Sequence, residues 1–187
     1  LWSDGGAVQT MIGGAGDDTN YMRNPQSRVV ELAGGGNDTV STWMNYELDA
    51  HVENLTVANS GAGMLYAAGN NLDNRIVGSG SGQQTLNGRQ GNDTLTGGAA
   101  SDHFVVEKGH GNDIITDFAT GKGGDMLRLV GFDFADIDAV RASARQVGAD
   151  AVISLGSGQT LTLKDVDVRT LGPDNIASFA PQVDRSK

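Results

Sequence analysis

Oxygen-bearing side chains recur in this chain at a fixed interval, each set behind a run of glycine. Asn74, Gln84, Asp93 and Asp102 stand two residues ahead of Ile76, Leu86, Leu95 and Phe104, in the stretches GNNLDNRI, SGSGQQTL, GRQGNDTL and GGAASDHF. A further copy, GHGNDII, occupies 109–115, and looser copies read GGAGDDTNY from Gly13, AGGGNDTVS from Ala33 and DGGAVQTMI from Asp4. Gln9 precedes Asp18 by the same interval that separates Gln84 from Asp93. Carboxylates and amides are hard oxygen donors, and a formal charge of -10 makes cations the natural partner while arguing against nucleic acid or an anionic membrane. There is no cysteine, so neither a disulfide nor a thiolate metal site can staple the fold.

Enzymatic chemistry finds no comparable pattern. HExxH, GxSxG and GxxxxGK[ST] do not occur, and His51, His103 and His110 lie in different repeats, where they read as surface residues. The carboxylates are numerous enough for a glycosidase pair, yet metal ligation already accounts for them, so the chain is read as non-catalytic, an ancillary part of a larger secreted enzyme.

The repeated units resemble the RTX, or haemolysin-type, calcium-binding nonapeptide GGxGxDxUx. The resemblance rests on GGAGDD, GGGND, QGNDTL and GHGNDIITDF together, covers roughly residues 4–126, and extends to VENLTV. It implies an all-β parallel β-roll, or β-solenoid, several bound calcium ions, and the setting of such modules in bacterial proteases and polysaccharide-active enzymes exported by type I secretion. Departures are Gln9, Gln84 and Asn74 in place of aspartate, and Ala100 in place of glycine; neutral amides bring no charge, so sites there should be weak.

On that pattern each unit is a six-residue turn followed by a three-residue strand, so successive turns fall on alternate edges and turns two units apart stack. Glycine permits the left-handed backbone that aims carbonyls inward, and calcium takes six to eight oxygens from carbonyls and carboxylates. The turn of Asp18 should stack on that of Asp38, with the carbonyls of Gly14, Gly16, Gly34 and Gly36. Asn74, Asp93 and Asp113 should share one edge and Asp102 and Asp117 the other, with Gly91, Ala100, Gly109 and Gly111 contributing carbonyls.

Three regions follow: degenerate turns and connecting strands over 1–64, the regular roll over 65–126, and a C-terminal cap over 127–187. In the cap, DMLRLVGF reads as a strand, FADIDAVRASAR as a short amphipathic helix and DAVISLGSGQTLTLKDV as a hairpin turning at Gly156 to Gly158. No apolar run is long enough to span a membrane. The opening Leu1 suggests a piece of a longer polypeptide, monomeric within it, and residues past Phe179 are either an export signal or simply an end. Two functional readings stand. One is a module that is unfolded at low cytoplasmic calcium and folds outside the cell, stabilising an attached protein. The other adds an extracellular polysaccharide as partner, with Trp43 as the sugar contact. In VSTWMNYEL, Trp43 falls opposite the apolar face Val40, Met44, Tyr46 and Leu48, and a cover by the N-terminal segment around Trp2 or by a neighbouring strand is the equal alternative.

Overall fold

The computed structural model describes residues 1, 7–58, 63–80 and 82–177. Asp4, Trp2 and the segment past Phe179, on which the sequence analysis placed a first repeat, a cover for Trp43 and a candidate export signal, lie outside the described residues. The chain winds into a β-solenoid of about six coils. One face is a ladder of parallel strands, Thr19–Met22, Thr39–Thr42, Asn54–Ala58, Arg75–Ser79, Thr94–Thr96, Asp113–Ile115 and Gln159–Leu163. The opposite face stacks Tyr46–Glu47, Leu65–Ala68, Gln84–Asn87, His103–Glu107, Met126–Val130 and Ile176–Ala177, also in parallel. Thr10–Ile12 pairs with Arg28–Val30 at the N-terminal end.

Strand alternation and the nonapeptide period together dictate this winding. Ile76 is opposite Leu95 in the first sheet, and Leu86 is opposite Phe104 in the second. All four, with Leu55, Ile115 and Leu127, have no exposed surface. Successive apolar marks therefore enter the thin core from alternating sides. Each such side chain withdrawn from water stabilises the fold by about 2 kcal/mol, and Phe104 also makes a ring contact with Phe118, with centroids 5.9 Å apart.

The C-terminal end is closed by a change of direction. Asp150–Gly156 and Gln159–Leu163 form an antiparallel hairpin, turning through Gly156, Ser157 and Gly158, all with left-handed backbone. Leu161 and Leu163 dock in parallel on Asp113 and Ile115. The helix is shorter than the sequence suggests, Ile137–Ser143, capped by Asp136 accepting from the Ala139 N–H at 2.9 Å. Beyond it, Ala144–Val147 leaves the helix because it pairs antiparallel with Asp150–Gly156, a tertiary ladder outweighing the local preference of RASAR. Among the described residues no helix is long and apolar enough to cross a membrane.

Candidate metal centres

The two edges of the solenoid carry columns of polar side chains, one rung per coil. On the first edge the Asp18 N–H donates to Asp38 Oδ1 at 2.8 Å, and the Asp38 N–H to Glu53 Oε2 at 2.8 Å. The column resumes with the Asn74 N–H donating to Asp93 Oδ1 at 2.7 Å and the Asp93 N–H to Asp113 Oδ1 at 3.0 Å. On the second edge the Gln84 N–H donates to Asp102 Oδ1 at 2.8 Å, and the Asp102 N–H to Asp125 Oδ1 at 2.8 Å. The expected pairings of Asp18 with Asp38 and of Asn74, Asp93 and Asp113 are thus present. Outside the first column runs an exposed companion, in which the Asn92 N–H donates to Asp73 Oδ1 and the Asn112 N–H to Asn92 Oδ1.

Each column carboxylate uses one oxygen to hold the coil before it, and at three of them the second oxygen is left open. Asp38, Asp93 and Asp102 are wholly buried, and the Oδ2 of each has no hydrogen-bond partner. That atom turns inward, against the first glycine of its own turn: a Cβ on Gly88 would collide with Asp93 Oδ2, and one on Gly97 with Asp102 Oδ2. Burial therefore pushes these carboxyls up, Asp93 to about 7 with Asp113 and Asp73 adding repulsion, and Asp102 to about 6 with Asp125 and Asp117 adding theirs. Burial likewise raises Asp113 to about 6. An unpaired charge in such a place is costly unless a cation or a proton neutralises it.

Where the sequence departs from aspartate, the site answers differently. Asn74 Oδ1 accepts from the Asn70 N–H at 2.7 Å, and its Nδ2 donates to the carbonyls of Val52 at 3.1 Å and Glu53 at 3.2 Å. The amide thus fills with its own N–H the space between carbonyls that a cation would otherwise bridge. Gln84 is less complete, since its Nε2 donates to the Gly82 carbonyl while its Oε1 is buried without a partner. Asp117 spends both oxygens on the N–H groups of Gly97 and Gly98, at 2.9 and 2.8 Å.

The predicted carbonyl donors occupy the turns as expected. Gly14, Gly16, Gly34, Gly91, Gly109 and Gly111 have positive φ, the backbone that a side chain would strain. Gly36 does not, and is small for another reason: a Cβ there would strike the carbonyl oxygen of Gly16 in the coil before it. Ala100 is tolerated because its backbone is not left-handed, whereas Arg89, at φ 68, takes the strained place that glycine fills elsewhere.

Three carboxylates of this arrangement escape the repeat pattern. Glu53 completes the upper part of the first column. Asp125 receives the Asp102 N–H and, through Oδ2, the Ala119 N–H at 2.7 Å; the run GKGGD before it is a turn signal, obscured by a 23-residue step where 18 to 20 is usual. Glu31, almost fully buried, joins Asp18 and Asp38 in the one group of three carboxylates, among the described residues, whose oxygens all lie within 4.8 Å of one another. Away from the columns, Trp43 is 46% exposed in the turn after Thr39–Thr42, with the Arg23 guanidinium 5.5 Å from its ring centroid. His51 is exposed, while His103 and His110 are half-buried rather than at the surface.

No protein-family model matches the chain. Over 186 residues it is 42% identical to endo-1,3-1,4-beta-glycanase ExsH and 38% identical to endo-1,3-1,4-beta-glycanase EglC, both of Rhizobium meliloti strain 1021. The alignment takes in essentially all of this chain, which spans 38% of the length of each of these relatives. Among solved structures, the extracellular lipase LipA of Serratia marcescens superposes with a TM-score of 0.45 and 15% identity, covering 91% of this chain and 38% of that one.

Proposed function

We propose that this chain is a non-catalytic, calcium-folded module of the RTX type, carried by a larger secreted protein that acts on polysaccharide. The observation that supports it best is the set of buried carboxylate oxygens with no protein partner, Asp38 Oδ2 and Asp93 Oδ2 in the first column and Asp102 Oδ2 in the second. Asp18, Asp38, Asp93, Asp113 and Asp102, with carbonyls of the glycine turns, would hold the ions. A hard divalent cation supplies the positive charge that these stacked groups lack. Because the sites exist only when coils are stacked, binding free energy becomes folding free energy. A chain poor in calcium would stay expanded by carboxylate repulsion and would close on reaching millimolar calcium outside the cell, as type I export requires of its passengers. The glycanase names of the relatives, of which this chain matches little more than a third, favour a polysaccharide-acting parent.

Calcium titration followed by far-UV circular dichroism tests this, with magnesium as control and a chelator for reversal. A cooperative rise in β-signal with calcium alone is expected. A chain equally β-structured in chelator and in calcium would sink the reading.

A second reading is favoured by Trp43, whose indole keeps nearly half its surface exposed while Arg23 packs over the ring. An open indole face stacks on a sugar ring. In this reading the folded module also holds a β-1,3-1,4-linked glycan for the attached enzyme. Trp43→Ala should abolish retention on that glycan while leaving calcium-dependent folding intact, and unchanged retention would remove Trp43 as the contact.

A further inference from the structure

The carboxylate of Glu31 occupies a place that, among the described residues, no other coil gives to an acid. The Gly13 N–H donates to the Val30 carbonyl, which sets Glu31 beneath Gly13, the first residue of the turn above. In the same manner the N–H groups of Leu48, Gly69 and Lys108 donate to the carbonyls of Ala68, Asn87 and Val130, so the positions equivalent to Glu31 further along are Gly69, Gly88 and Gly131, all glycine. In later turns the atom tucked against the first glycine belongs to that turn's own sixth residue, as with Gly69 and Asn74 or Gly88 and Asp93. Under Gly13 it is the Glu31 carboxylate instead, and a Cβ there would collide with it.

Glu31 Oε2 accepts from the Gly14 N–H and Oε1 from Asn20 Nδ2, both at 3.1 Å. The charges that act on it, Asp38 and Asp18, are both negative. Two further atoms at this spot lack partners. Asp38 Oδ2 is buried and unbonded, and so is Oδ1 of Asn20, a side chain with no exposed surface whose amide nitrogen is the one bonded to Glu31. Oxygens sharing a calcium ion at about 2.3 to 2.6 Å lie no more than about 5 Å apart, and those of Asp18, Glu31 and Asp38 are within 4.8 Å.

We propose that Glu31 and the side-chain oxygen of Asn20 join Asp18 and Asp38 in binding one calcium ion at the N-terminal end of the solenoid, two ligands that the nonapeptide pattern does not supply. This rests on the reading of the chain as a calcium-folded module. Three carboxylates around a divalent ion leave a net charge of -1, so this ion is held by side-chain charge, where the turn sites depend more on carbonyls.

Native mass spectrometry of the full chain in calcium, paired with calorimetric titration, counts the ions and their affinities. Glu31→Gln should weaken one calcium ion at least about tenfold, the scale on which ligand charge tunes such sites, and leave the others and the calcium-induced β-signal in place. An unchanged ion count with unchanged affinities overturns the site while the module reading stands; a wild-type chain that binds no calcium overturns both. Should Glu31→Gln fail to fold, Asn20→Asp gives the opposite probe. A fourth carboxylate should tighten one ion about tenfold on the same grounds, and unchanged affinities would overturn the site.

Discussion

Asp93→Asn should stabilise the metal-free protein at neutral pH and weaken it in calcium. Burial pushes the Asp93 carboxyl from 3.8 to about 7, with Asp113 and Asp73 adding repulsion against the one favourable bond from the Asn74 N–H. Keeping that group charged at pH 8 without a cation costs on the order of 4 kcal/mol. A carboxyl whose folded value is raised contributes its full stability below the unfolded value, near 4, and loses it as pH rises through about 7. In chelator, therefore, the wild-type chain should lose stability between pH 4 and pH 8, and Asp93→Asn should lose less. One coil earlier Asn74 shows how an amide is accommodated, its Nδ2 donating to the carbonyls of Val52 and Glu53. The variant should match wild type at pH 4.5 and exceed it by some ~2–4 kcal/mol at pH 8 in chelator, with the order reversed in calcium. Urea unfolding followed by circular dichroism at the two pH values, with and without calcium, reads all four quantities. A variant no more stable than wild type at pH 8 in chelator would refute the claim that the column is held under charge.

Calcium affinity should rise as pH goes from 5 to 7.5, because Asp93, Asp102 and Asp113 must lose protons held up to about 7, 6 and 6 before they can ligate; calorimetric titrations showing a flat dependence would count against these residues as ligands. Asn175→Ala should lower stability by about 2–4 kcal/mol, since this buried amide donates to the carbonyls of Ala119, Gly121 and Asp125 and accepts from the Gly121 N–H. A loss below about 0.5 kcal/mol in chemical denaturation would mean that the cap does not seal the last turn. Gly88→Ala should cost about 1–3 kcal/mol by overpacking, because its Cβ meets Asp93 Oδ2, and should also weaken calcium binding. Gly148→Ala, with open space but a φ of +63, should cost about 1–2 kcal/mol and leave calcium binding unchanged.

The regular part of the roll was legible because its signals are local and periodic. Nine residues separate Leu86 from Leu95 and Leu95 from Phe104, and that period alone assigns them to alternate sheets. Matching the GDD and GND turns, whose aspartates are 20 residues apart, brought Asp93 onto Asp113 and Asp18 onto Asp38. Glu31 was not legible, since its place depends on two extra residues in the turn before Asp38, which carry its side chain beneath Gly13. Asn175 was hidden by distance along the chain, its bonds spanning 50 to 56 residues. The helix was overextended because RASAR has helical preference, while the strand it feeds is specified by Asp150–Gly156, which local reading does not weigh.

The amide at Asn74 divides the first-edge column electrically. Asp18, Asp38 and Glu53 lie to one side of it, Asp93 and Asp113 to the other, and the rung between them carries no charge and has its own hydrogen bonds satisfied. A solenoid transmits order chiefly between neighbouring coils, so on the calcium-folded reading proposed above a rung that is complete without an ion would act as an insulator between two blocks that each need one. Loading one block would not relieve repulsion in the other. The stack would then have two thresholds for ordering along its length, and a chain meeting calcium gradually would close one block before the other instead of snapping shut as a whole.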